Sequence, residues 1–216
     1  MEPTGSPVNR PRRYDSSGRR RQARENQQIV LDAAQDLFLA DGYAATTVAA
    51  VAAAAGVSVE TVYKQFGGKP GLVRAIRDRA LEGAGAEPTE RRSDRMRDAE
   101  VDPRRIIANW ASLSIEVLPR VAPILLVLRS AAGADPALAD LRDQLDADRL
   151  ERMTDNARHL LDRGALRDDL TLEEARDVLF TYSSPELYDL LVLRQRWPLD
   201  RYAAFIGDAM TGALLA

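Results

Sequence analysis

The chain has 216 residues, no cysteine and a single histidine, His159. That length allows one or two domains with their own cores. The inventory excludes disulfide scaffolds, thiolate zinc sites, cysteine nucleophiles and most histidine-based chemistry. Apolar residues make up 45% and charged residues 29%, the balance of a globular chain. No uninterrupted apolar run approaches the ~20 residues that span a bilayer, and the N-terminus has arginines without an apolar stretch behind them. A cytoplasmic protein is expected, with no membrane partner, no cofactor, no metal and no catalytic residue.

The net charge of -3 hides an asymmetry: residues 1–82 carry 12 Lys+Arg against 9 Asp+Glu, and residues 83–216 carry 18 against 24. Seven arginines (Arg10, Arg12, Arg13, Arg19, Arg20, Arg21 and Arg24) fall within residues 1–24, against Glu2 and Asp15. This stretch is rich in Pro, Gly and Ser, and reads as a disordered basic arm.

From residue 25 onward the apolar spacing is helical, and no alternating strand pattern stands out, so the fold class is all-α. A first helix over residues 25–40 places Ile29, Val30, Ala33, Ala34, Leu37 and Phe38 on one face, and Gly42 stops it. Thr47 caps a short helix over residues 48–55, which Gly56 ends. Ser58 caps another over residues 59–66, broken by Gly67 and Gly68. Pro70 suits the first turn of a fourth helix reaching Glu82. Residues 83–102 are small, polar and charged and read as the junction between two modules, 25–82 and 83–216.

Beyond it, Asp102 and Pro103 open a helix with Ile106, Trp110, Leu113 and Val117 on one stripe. Asp135 and Pro136 open a long one ending before Gly164. Thr171 and Glu174 form a capping box for the next. Ser184 and Pro185 start a helix over residues 185–195 carrying Leu187, Tyr188, Leu190, Leu191 and Leu193. Pro198 precedes the last, over residues 199–214, with Tyr202, Phe205, Ile206 and Met210. The apolar faces of these two helices predict pairing with a second copy, through Leu187, Leu191, Tyr202, Phe205 and Ile206. His159 reads as a satisfied or half-exposed side chain, and the pairs Asp168–Asp169 and Glu173–Glu174 complement helix starts rather than form catalytic dyads. Gly68 and Lys69 do not complete a P-loop, because Tyr63 stands where the earlier glycine is needed.

Two short helices joined by Gly56, Val57 and Ser58 have the spacing of a helix-turn-helix. At about 100° per residue, Val59, Val62 and Phe66 of the second helix turn inward, whereas Glu60, Thr61, Lys64 and Gln65 turn outward and Tyr63 lies at the flank. The outward types can meet base edges: Lys64 for guanine acceptors, Gln65 for adenine, Thr61 for the thymine methyl and Glu60 for the cytosine amino group. Tyr63 and Lys69 suit phosphate oxygens, beside the open N–H groups of the fourth helix.

Residues 46–73, TTVAAVAAAAGVSVETVYKQFGGKPGLV, resemble the DNA-binding signature of the TetR family of bacterial regulators. The matching positions are Thr46, Thr47, the AAAGVS stretch ending at Ser58, then Thr61, Val62, Tyr63, Phe66, Lys69 and Leu72. The resemblance is close over residues 25–82 and extends further only in helix order and length. It implies a homodimeric repressor whose two heads read a palindromic double-stranded operator and whose helical C-terminal domain binds a small molecule that releases DNA. An activator or a ligand-independent DNA-binding regulator is the alternative. The resemblance places phosphate contacts at Tyr63 and Lys69 and base contacts around Val59, Glu60, Thr61 and Lys64; with Thr47, Ser58 and the outward Gln65 these make up the expected DNA-contacting set. The effector would lie among the central helices, near Trp110, Leu113, Ser114, Leu125, Arg129, Met153, Phe180 and Tyr182, and would be apolar or aromatic to suit that wall. Two departures from the family stand out: Ala49 where a polar residue often meets DNA, and Glu60 close to phosphates. The arginine arm is expected to compensate along the backbone or in the minor groove.

Overall fold

The computed structural model describes residues 17–83 and 87–216, with the side chains of residues 17–20 excepted. Arg10, Arg12 and Arg13 of the basic arm lie outside the described residues. Ten α-helices follow in order: α1 (Ser17–Ala45), α2 (Val48–Ala55), α3 (Val59–Phe66), α4 (Lys69–Glu82), α5 (Thr89–Ala99), α6 (Pro103–Ala131), α7 (Pro136–Asp162), α8 (Leu172–Tyr182), α9 (Pro185–Tyr188) and α10 (Leu199–Leu214). Among the described residues the only extended pairing is an isolated antiparallel bridge between Leu166 and Leu215.

Local chemistry sets most boundaries. Thr47 Oγ1 accepts from Ala50 N at 3.0 Å and opens α2. Gly56 closes it at φ 67°, ψ 29°, a left-handed conformation that costs an L side chain about 1–2 kcal/mol. Ser58 Oγ accepts from Thr61 N at 3.1 Å and opens α3. Asp102, Asp135, Thr171 and Ser184 cap α6, α7, α8 and α9 with their side chains, the Thr171–Glu174 pair as a full capping box.

Three elements differ from the sequence reading. First, α1 begins at Ser17 rather than residue 25, so the arm's Arg21 and Arg24 stand on a helix, exposed to solvent. Arginine has high helix propensity, and extending an existing helix needs no new nucleus. At Gly42 the backbone leaves helical geometry (φ 80°, ψ 165°), as the expected stop requires, and a further short turn runs to Ala45. Second, the junction over 83–102 contains α5. Its buried residues are Thr89 and Ser93, and it is tied down by arginines: Arg152 to Asp94 at 2.7 Å, Arg97 to Asp94 at 3.4 Å and Arg92 to Glu116 at 2.5 Å. Such a helix has no apolar stripe to read. Third, the helix expected over 185–195 is α-helical only to Tyr188 and continues as a π-helical turn over Asp189–Arg194.

Packing forms two cores. The first joins Val30, Phe38, Val51, Val62, Leu72 and Ile76 of α1–α4 to Ile124 and Leu128 of α6 and Leu138 and Leu141 of α7. The second gathers Ile106, Ile107, Trp110 and Ala122 of α6 with Leu160, Leu179, Tyr202, Ile206 and Leu214. Helix α6 belongs to both. It is long and apolar enough by composition to cross a membrane, yet here it is the central packing helix, with Ile106, Ile107, Ala122 and Ile124 fully buried. Helix α4 reaches both as well: Leu72, Val73 and Ile76 sit in the first core and Leu81 packs against the second.

Candidate nucleic-acid interface and internal cavity

The α2–turn–α3 unit places the outward residues as spacing requires. Val62 is fully buried and Phe66 half-buried against α1 and α2, whereas Glu60, Lys64 and Gln65 are exposed on the opposite side of α3. Thr61 is half-buried and its hydroxyl shares a 2.8 Å hydrogen bond with Ser58 Oγ, so both hydroxyls help hold the first turn of α3. Tyr63 stands 54% exposed, further out than a flank position. Val59 does not turn inward: it is 41% exposed. It opens α3 one helical turn ahead of Val62, beyond the cover that α1 and α2 provide. Thr47 is exposed at the start of α2, and Ala49 and Ala50 beside it are exposed without polar atoms to offer.

Lys69 is anchored rather than loose. Its Nζ donates to the Tyr43 carbonyl at 2.7 Å and lies 4.1 Å from the centroid of the Tyr43 ring. This pins the start of α4 to the end of α1. An ammonium has three donors, so one such bond leaves others for a phosphate. Tyr43 stacks on Phe38 at 5.4 Å, and its phenol is pushed up to about 12, first by burial and then by neighbouring Asp135 at the start of α7. Gly71 lets α4 approach α3 closely: a Cβ there would meet the Phe66 carbonyl oxygen at 1.7 Å.

In the C-terminal half a cavity of about 200 Å³ lies among α4, α5, α6, α7 and α8. Six of the eight expected pocket residues line it: Trp110, Leu113, Ser114, Leu125, Met153 and Tyr182. Arg129 and Phe180 do not. Arg129 is drawn away into ion pairs with Asp146 at 2.7 Å and Glu186 at 2.6 Å. The Phe180 ring lies under the Arg149 guanidinium at 3.5 Å. Periodicity missed the polar wall, Thr89, Ser93 and Asn156, and the α4 residues Arg77 and Leu81. Nothing in their spacing signals burial. Arg149, also in the wall, is pushed down to about 10, chiefly by burial, against the opposing pull of Asp146.

The expected pairing surface also changes. Tyr202 and Ile206 are fully buried in the second core, so they cannot face a partner, and Leu187 and Leu191 pack against that core half-buried. Helix α10 is apolar on more than one side, and α6 takes the Tyr202 and Ile206 face. The large apolar side chains left exposed at this end are Leu190 (50%), Leu193 (45%), Phe205 (39%) and Leu199 (37%).

Comparison with known proteins is consistent with this geometry. Residues 30–76 match the family described as bacterial regulatory proteins, tetR family. The chain is 47% identical over 45 residues to the HTH-type transcriptional regulator AlkX of Mycobacterium tuberculosis, a match covering 21% of each protein. Among solved structures, NalD of Pseudomonas aeruginosa, the secondary repressor of the MexAB-OprM multidrug efflux pump, superposes with TM-score 0.72 at 21% identity, over 90% of this chain and 98% of that one. A TetR-family regulator from Syntrophomonas wolfei gives TM-score 0.73 at 18% identity, covering 89% and 96%. A complex of SmeT with triclosan gives 0.68 at 22% identity, covering 89% and 92%. The head thus carries, over residues 30–76, the signature of the tetR family of bacterial regulatory proteins, and the described chain has the fold of these solved regulators.

Proposed function

We propose that the chain is a homodimeric, cytoplasmic repressor without enzymatic activity, which binds a palindromic operator through α3 and releases it when a small molecule enters the cavity. The observation that carries this reading is the double role of α4. Leu72, Val73 and Ile76 seat it in the head's core, and Arg77, the next residue, and Leu81, about one turn further on, form part of the cavity wall. A ligand that pushes on Leu81 therefore pushes on the helix that holds the head.

In the proposed complex Glu60, Thr61, Lys64 and Gln65 face the major groove, Val59 offers an apolar contact to a thymine methyl, and Tyr63, Lys69, Thr47 and Ser58 meet the backbone. Arg21 and Arg24 on the extended α1, with the arginines before them, add positive charge alongside. The exposed Leu190, Leu193, Leu199 and Phe205 supply the apolar surface of a two-fold contact through α9, the π-helical turn and α10. Two-fold symmetry then sets the heads about 34 Å apart, one turn of duplex. The ligand acts by its difference in affinity between the head spacing that fits DNA and one that does not. The SmeT–triclosan complex, which shares the fold, favours a small, mostly apolar effector.

Footprinting on the DNA flanking the protein's own gene tests the reading. Two protected half-sites, lost on adding an effector, are expected. Protection that is absent at physiological salt, or covers one unpaired site only, contradicts it.

A further inference from the structure

Four polar side chains are buried among the described residues: Thr46, Thr89, Ser93 and Asn156. Thr46 is fully used, its hydroxyl lying 2.9 Å from the Gly42 carbonyl and 3.1 Å from that of Leu37. The other three all line the one cavity described above. Thr89 Oγ1 has no hydrogen-bond partner. Asn156 Oδ1 receives only a long 3.4 Å bond from Arg97, and its amide N–H groups remain donors. Burying the Thr89 hydroxyl and the Asn156 amide in this way is costly unless something completes their hydrogen bonds. Facing this polar wall, α6 presents Trp110, Leu113, Val117 and Leu118, joined by Met153 and Met210.

Most charges lining the cavity are already taken up; Glu90, exposed at its rim, is a wall carboxylate with no ion pair among the described residues. Arg152 lies 2.7 Å from Asp94 and Arg77 lies 2.9 Å from Asp78. Arg149 donates to the Phe180 carbonyl and the Ser183 hydroxyl, with Asp146 3.8 Å away. Asp146 is in turn held by Arg129 at 2.7 Å. An anionic ligand would have to pull a guanidinium from its partners, and a cationic one inside the cavity a carboxylate from its guanidinium, the one unpaired carboxylate, Glu90, standing exposed at the rim. Either exchange leaves a half-buried charge unpaired.

We infer that the cavity takes an uncharged, compact, mostly apolar molecule with a single hydroxyl or carbonyl head, the head hydrogen-bonded to Ser93 and Asn156 and the body against Trp110 and Met153. The inference rests on reading the cavity as the effector site. It fixes the ligand's charge and the place of its polar head, which that reading leaves open. The volume of about 200 Å³ lies below the about 300–1,000 Å³ of pockets for drug-sized ligands, which favours a single ring or a medium-length chain.

The test is direct binding by calorimetry to the full-length protein, without DNA, of four probes sharing one body: para-tert-butylphenol, para-tert-butylbenzoate, protonated para-tert-butylbenzylamine and tert-butylbenzene. The same comparison is made with n-octanol, n-octanoate, n-octylammonium and n-octane. In at least one series the hydroxyl compound is expected to bind about tenfold tighter than each of the other three. Ser93→Ala and Asn156→Ala, checked for an unchanged melting transition, are each expected to reduce that preference severalfold. If either folds poorly, Ser93→Cys and Asn156→Leu serve in its place, since they nearly keep shape and alter the hydrogen bonds.

Carboxylate or ammonium binding as tight as the hydroxyl compound overturns the inference, as does equal binding of the hydrocarbon or no binding in either series. Operator release by a charged ligand would overturn it and leave the repressor reading intact. Selective binding of the hydroxyl compound without any effect on DNA would leave the inference standing and count against that reading.

Discussion

Lys69 Nζ and the Tyr43 carbonyl, 26 residues apart in sequence, meet at 2.7 Å and tie the N-terminus of α4 to the C-terminus of α1. The same ammonium lies over the Tyr43 ring. One side chain thus fixes the geometry of the head and places a positive charge beside the surface proposed to face DNA. Lys69→Met is expected to lower stability by about 1–2 kcal/mol, from loss of a charge-assisted hydrogen bond and a cation–π contact. It should also flatten the salt dependence of operator binding by about one unit. Melting curves and anisotropy titrations at several salt concentrations check the two parts separately, and an unchanged salt slope removes Lys69 from the phosphate contacts.

Lys64 and Gln65 are exposed and their side chains make no contribution to the core. Lys64→Ala should leave the melting temperature within error and weaken operator binding by about 1–3 kcal/mol, with relaxed preference at one base pair of each half-site. Competition against single-base operator variants measures this. A uniform loss across all variants would make Lys64 a backbone contact instead.

Gly71 and Gly56 are glycines for different reasons, which two alanine variants separate. Gly71→Ala drives a methyl into the Phe66 carbonyl and should prevent the head from folding natively. Gly56→Ala meets open space but keeps a positive φ, at a cost of about 1–2 kcal/mol. Equal destabilisation of the two in denaturant titrations would contradict the close approach of α4 to α3.

The C-terminal surface divides in the same way. Leu193→Asp combined with Phe205→Asp should yield folded monomers with weak operator binding, because both side chains are exposed in the protomer. Tyr202→Ala, fully buried, should instead destabilise the fold itself by about 3–5 kcal/mol. Light scattering after size-exclusion chromatography distinguishes the outcomes; dimers that survive the double aspartate change would move the proposed interface elsewhere.

His159 supplies a pH test. Burial, then the nearby Arg163 and Arg97, hold its imidazolium below the usual value of 6.5. The neutral ring is favoured in the folded state, so its contribution is fully present above pH 6.5 and is lost as pH falls through the depressed value. A His159→Gln variant should therefore lose less stability than the parent between neutral and mildly acidic pH. Parallel slopes for the two proteins would rule out this contribution.

The head was legible in the sequence because its signals are local: Thr47, Gly56 and Ser58 act on backbone groups within four residues, and Val62 needs only its periodicity. Val59 escaped because periodicity gives its direction but not whether a neighbour covers it. Helix α5 was hidden because Thr89, Ser93 and arginine stems do the burying that an apolar stripe would announce. In α10, apolar residues on several sides left open which face α6 would claim, and α6 claimed Tyr202 and Ile206. The cavity's apolar wall was placed by the family resemblance applied to the central helices, but its polar side came from residues that become neighbours only on folding, with Phe180 diverted to Arg149 and Arg129 to Asp146.

The central claim is that paired α3 helices read a symmetric duplex. Selection of bound sequences from a random duplex library at physiological salt tests it most directly. The account predicts an enriched inverted repeat whose half-sites are centred about one helical turn apart, with enrichment lost in the Lys64→Ala, Gln65→Ala double variant. A library that emerges unenriched, or a motif without two-fold symmetry, would contradict it.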